Sequence, residues 1–220
     1  MEITQEIDGK LYMYKKIDDR WGFYDFKGNL YTGNKSFAKD LDKIREADPI
    51  LERMITNIVD SETEVRLFYG NDNRTIPVVD SQRNIYDYNI EYNPTKTIGG
   101  EGIAPDGTVT NSRSPEVGLV HELGHIFDRL NPISTNVVYK KHPNLIIKDR
   151  NGIHREGVSC IMENIYREAI GEPMRISYRS LKPHKSVASG LFVPINTNIG
   201  YSISDKIMMD IITKRTNFSY

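Results

Sequence analysis

The chain has one cysteine, Cys160, in 220 residues, so it cannot close an internal disulfide. A lone cysteine fits a reducing compartment, or a protein delivered into one. No apolar run approaches the roughly 20 residues that a membrane-spanning helix needs. Residues 1–30 lack a basic stretch followed by an apolar one, so no cleaved Sec signal is expected, and export would need another route. Charge of one sign is also missing. The formal net charge is -1, which gives no global electrostatic case for nucleic acid or an anionic membrane as partner. A weak basic cluster (Arg175, Arg179, Lys182, Lys185) reads as a solvated face. Repeats and low-complexity tracts are lacking too. What is present is ordinary globular composition, 38% hydrophobic and 27% charged, enough for one domain or a core domain with an appendage.

The pattern along the chain predicts an α+β fold. Residues 10–32 carry short aromatic runs, Leu11–Tyr14, Trp21–Tyr24 and Leu30–Tyr31, punctuated by Asp18-Asp19 and Lys27-Gly28-Asn29. They read as a small β-meander, and residues 1–32 as a β-rich appendage to a main domain over 33–220. Phe37, Leu41 and Ile44 share one helical face, and Ile50 to Ile58 stripe a second helix with Pro49 in its first turn. Val65–Tyr69 is a strand and Ile76–Val79 a further candidate. In Ile85–Tyr92 the residues Tyr86, Tyr88, Ile90 and Tyr92 alternate with polar ones, as in a strand with one wet face. Gly99-Gly100-Glu101-Gly102 reads as a loop. Ser114-Pro115-Glu116 opens a central helix as N-cap, first-turn proline and dipole-complementing acid, and Asn131-Pro132 stops it. A segment without clear signal then runs to Gly152. A helix follows over about 155–170, and a last amphipathic segment over 207–212.

The central helix carries His121-Glu122-Leu123-Gly124-His125. Positions i and i+4 share a helix face, so both imidazoles can point at one ion. Zinc takes such nitrogens with a third protein ligand and keeps one position for water. Glu122 is then placed as the general base that takes the zinc-bound water's proton and passes it to the leaving amine. The third ligand stays open. Glu156, at the start of the next helix, and Glu163, seven residues on, both qualify, and Asp128 is a further possibility three residues beyond His125. Among the others, His154 and His184 are weighed as ligands, Tyr178 as an oxyanion donor, His142 as a surface residue and Cys160 as a small buried hydrophobe.

The stretch from Ser114-Pro115 to His125, then Glu163-Asn164-Ile165-Tyr166-Arg167, Gly171-Glu172-Pro173 and Arg175-Ile176-Ser177-Tyr178, resembles the NleD-type family of bacterial effector zinc metallopeptidases over roughly residues 33–180. The resemblance implies a zincin-like peptidase of the glutamate-zincin type, with a small mixed sheet, an active-site helix and a following glutamate helix. It carries over one Zn2+ on His121, His125 and Glu156, with Glu122 as base, and places Tyr178 at the tyrosine of the family's Arg-x-x-Tyr. It also implies a toxin-like protein exported into a target cell, with a protein substrate bound extended and a secretion chaperone or immunity protein as partner. The spacing around Gly157–Cys160 is tighter than the family's. The expected substrate contact is strand pairing along the strand at 85–92, as the upper rim of the cleft. Two other readings compete: a binding module in which zinc only holds the fold, and a metal-dependent amidase acting on a non-protein substrate.

Overall fold

A computed structural model describes residues 3–82, 84–103, 109–149, 152–175 and 202–216. The chain is mixed α+β. A six-stranded sheet is built from β1 (Ile3–Ile7), β2 (Lys10–Ile17), β3 (Arg20–Tyr24), β4 (Val65–Tyr69), β5 (Arg74–Val79) and β6 (Ile85–Tyr92), in the order β3-β2-β1-β4-β6-β5. The pairs β1/β4 and β4/β6 run parallel and the rest antiparallel.

Of the three strands expected over residues 10–32, Leu11–Tyr14 and Trp21–Tyr24 lie in β2 and β3, Leu30 makes only an isolated bridge to Tyr24, and the meander is completed instead by β1, which was not expected. Its two tight turns hold Asp8-Gly9 and Asp18-Asp19 at positive φ, the left-handed geometry that two-residue hairpins require. β1 pairs with β4, and Ile3, Tyr14 and Phe23 join one core with Phe37, Leu51 and Val65. The composition break near residue 32 therefore falls between two parts of one sheet.

Helices α1 (Ala38–Ala47) and α2 (Pro49–Val59) follow the predicted stripes. Asp48 caps α2 by accepting from the Ile50 amide at 2.9 Å, with Pro49 in the first turn. α3 (Pro115–Leu130) lies between α5 (Gly157–Ile170) and the β5–β6 end of the sheet. Ser114 occupies the N-cap position of α3, but its hydroxyl makes no capping bond.

Four expectations are corrected. The segment after Asn131 is not featureless: α4 (Pro132–Lys141) and a short 3-10 turn (Pro143–Leu145) precede the hairpin of β9 (Ile146–Asp149) and β10 (Gly152–Arg155). Pro132 both ends α3 and supplies the first residue of α4, whose buried side chains, Thr135, Val138 and Tyr139, are too mixed to show a stripe. The Gly99–Gly102 stretch is strand, not loop. It lies in β7 (Ile98–Ile103), which pairs with β8 (Val109–Ser112) and β11 (Met174–Arg175), and the missing side chain at Gly99 makes room for the Arg113 guanidinium. His142 is buried rather than on the surface, its Nε2 lying 2.7 Å from Asp205 Oδ1 of α6 (Ile203–Thr216). Finally, β6 cannot be the substrate-pairing rim, because both its edges are taken, by β4 and β5. Among the described strands the edges of this sheet are β3 and β5, and β5 is the one beside α3. Pro77 in the middle of β5 fits that place, since a residue without an N–H is tolerated on an edge strand.

Candidate metal centre

One close approach between helices creates the site. A Cβ added to Gly124 would sit 2.7 Å from the backbone Cα of Ser159, so only glycine lets α3 lie this near α5. Gly124 neighbours His125, and Ser159 is one turn past Glu156, so the contact brings the N-terminal end of α5 beneath the two histidines. Arg155 fixes the same junction. Its Nε and Nη2 donate to the two carboxylate oxygens of Asp128, each at 3.0 Å, and its guanidinium lies 4.1 Å from the Tyr139 ring centre.

As a result, Oε2 of Glu156 is 3.3 Å from Nε2 of His121 and 3.3 Å from Nε2 of His125. These three ligand atoms lie within 4.8 Å of one another. Oε2 of Glu156 is nonetheless buried and accepts no hydrogen bond. A buried carboxylate oxygen without a partner is costly, and two imidazole nitrogens aimed at it complete a two-nitrogen, one-oxygen donor set. The His121, His125 and Glu156 triad can hold a metal ion, and the arrangement fits one.

Glu163 has a different task. Its carboxylate meets the other face of His121, with Oε2 3.1 Å from Nδ1, and receives Arg167 Nε at 3.0 Å and Arg175 Nη1 at 2.5 Å. A carboxylate on Nδ1 fixes the tautomer that leaves the Nε2 lone pair free for a ligand bond. Burial alone would push the Glu163 carboxyl up. Arg175, His121 and Arg167 outweigh it and hold the group well below the usual carboxylate range. Glu156 is likewise held low against its burial, by the two histidines. At His121 burial opposes the charge, but Glu156, Glu163 and Glu122 raise the imidazole to about 9. Taking up a cation must therefore displace that proton.

The open choice between Glu156 and Glu163 thus resolves by geometry, with Glu156 on the ligand side and Glu163 behind the histidine. Replacing Glu163 with Gln should weaken metal binding by about 10- to 100-fold, the usual cost of losing such a partner. Competition with a chromophoric chelator measures it, and unchanged affinity would assign Glu163 a purely structural role.

Glu122 is also buried, and Thr75 Oγ1 on β5 donates to its Oε2 at 2.9 Å. Thr75 is a residue that the sequence did not single out, because nothing local marks a threonine in a short strand. Arg167 had a readable signal in its i,i+4 spacing from Glu163. Arg175 is buried against Glu163, a correction to its reading as part of a solvated face. Asp128 is committed to Arg155 and to the Tyr139 hydroxyl, which donates at 2.7 Å, and is not among the converging ligand atoms. Cys160 is buried, and burial pushes its thiol up, as suits a small core side chain. Tyr178 and His184 lie outside the described residues. His154 lies in β10.

The three candidate ligands line a cleft of about 640 Å³ together with Glu122 and residues of β5 and β6. No family model, curated protein or solved structure matches the chain. Among the described residues no helix is long and apolar enough to cross a membrane.

Proposed function

We propose that the chain is a zinc-dependent endopeptidase of the glutamate-zincin type. The observation that carries this reading is the buried Glu156 Oε2, which accepts no hydrogen bond while it faces two histidine nitrogens at the edge of a cleft that also holds Glu122. Two histidines and a glutamate with a side open to the cleft are the donor set of catalytic rather than structural zinc. Zinc bound there would supply Lewis acidity toward a substrate carbonyl and toward water.

The chain's own residues supply the rest. Glu122 is the base that takes a proton from the attacking water and returns it to the leaving amine. Thr75 aims that carboxylate, and Glu163 keeps His121 in the ligating tautomer. The free edge of β5 offers backbone groups to an extended peptide, so the substrate pairs there as an added strand. Tyr178 remains a candidate oxyanion donor. The further reading, a toxin-like effector delivered into a target cell with a chaperone or immunity partner, rests on the NleD-type resemblance over residues 33–180.

A quenched-fluorescent peptide library tests the proposal. Cleavage should be lost on chelation and restored by stoichiometric zinc. A zinc-loaded protein that cuts no peptide would remove the peptidase reading and leave a metal-held binding module.

A further inference from the structure

Charges in the cleft largely cancel one another. Arg155 neutralises Asp128 through two hydrogen bonds, and Arg74 on β5 gives its Nε to Glu91 at 2.5 Å. Glu156 and Glu122 together balance a divalent cation. One charge is left over, that of Arg129. It is exposed, lines the cleft and has no acidic partner among the described residues.

Its position is specific. His121, His125 and Arg129 follow one another at i, i+4 and i+8, so they stand in a row on one face of α3. One turn beyond His125 is about 6 Å along the helix, a distance that an extended peptide covers in about two residues. The last turn of a helix welcomes any cation, but this side chain reaches across to the sheet, with its guanidinium carbon 5.5 Å from the ring centre of Tyr88 on β6. A cation held over a ring face gives up no hydrogen bond to it, so the guanidinium N–H groups can still donate elsewhere. Tyr88 is itself buried, so the ring is a firm support.

We propose that Arg129 is a specificity-determining residue that selects substrates carrying an anionic side chain, carboxylate or phosphate, about two residues from the scissile bond. The inference rests on the peptidase reading and names its substrate class.

The test uses peptides that differ at one position, two residues to either side of the cut, with Glu, phosphoserine, Gln or Lys there. The zinc-loaded parent should prefer Glu or phosphoserine over Gln by about tenfold in kcat/KM, the scale of one charge-assisted contact. The preference should shrink as salt rises. Whichever anion is preferred names the source, protein acid or phosphorylated residue. Arg129→Gln should bring the ratio close to one, and Arg129→Glu should invert it toward Lys. Arg66→Gln, on a paired surface arginine of β4, should leave it unchanged.

Anisotropy with the same labelled peptides on zinc-loaded Glu122→Gln, with and without Arg129→Gln, separates the two claims. Cleavage without charge preference overturns the anion subsite and leaves the peptidase. Charge-dependent binding lost with Arg129, but no cleavage by the parent, removes the peptidase and keeps the subsite. If binding and cleavage are both indifferent to the charge, the proposal is wrong.

Discussion

Glu122→Gln should lower kcat/KM on any cleaved peptide about a thousandfold, roughly 4 kcal/mol in the barrier, while zinc stays bound. The substitution keeps size and shape but removes the negative charge and with it the ability to take a proton. The amide oxygen can still accept from Thr75 Oγ1, which reaches Oε2 at 2.9 Å in the parent, so the side chain has no cause to leave its place. Glu122 is not one of the three converging ligand atoms, which is why metal content should hold. Two measurements on one sample decide it: zinc per chain by atomic emission, and cleavage rate. Parental rates in the variant would show that Glu122 is a buried acid tied to β5 and nothing more. A variant that loses both zinc and activity would place Glu122 among the ligands.

What could be read from the sequence divides along a physical line. His121, Glu122 and His125 were legible because their relation is local: helix geometry alone puts i and i+4 on one face. The same holds for Pro49 and the alternation of Tyr88, Ile90 and Tyr92. Contacts between distant elements were not legible. Glu156 and Glu163 both sit on or beside one helix, and no local rule says which of them meets Nε2 and which meets Nδ1. That is settled by how α5 crosses α3. The rim strand was misread for a similar reason. Strand order is a long-range property: β6 shows the stronger alternation in sequence yet lies inside the sheet, whereas the edge strand β5 shows little and carries Pro77 in its middle.

The fold places rigid elements on each side of the candidate site. Thr75 comes from the sheet, Glu122 and both histidines from α3, and Glu156 from the start of α5. Arg155 and Asp128 join α3 to the α5 junction, and Arg175 links β11 to Glu163. Each contact acts on a side chain that would otherwise be free to turn, and catalytic groups must be held to within about 0.5 Å of their working positions.

Gly124→Ala probes that arrangement most directly. Two effects oppose each other in the stability. Alanine favours a helix interior over glycine by about 1 kcal/mol, while forcing a methyl into a filled contact costs about 1–3 kcal/mol. The added carbon would stand 2.7 Å from the Cα of Ser159, which is backbone inside a helix and cannot turn aside as a side-chain tip would. Overpacking should therefore win, with a net loss of about 1 kcal/mol and a Tm lower by about 2–4 °C. The site should suffer more than the fold. Separating α3 from α5 by several tenths of an ångström moves Glu156 away from both Nε2 atoms, and a misplacement approaching 1 Å costs about a hundredfold in rate. The expected result is a folded protein, by far-UV circular dichroism, with a modestly lowered Tm, weakened zinc binding in chelator competition and cleavage down by about two orders of magnitude. Equal zinc affinity in parent and variant would mean that α5 adapts to the methyl, and that the close approach at Gly124 is not what sets Glu156 under the histidines.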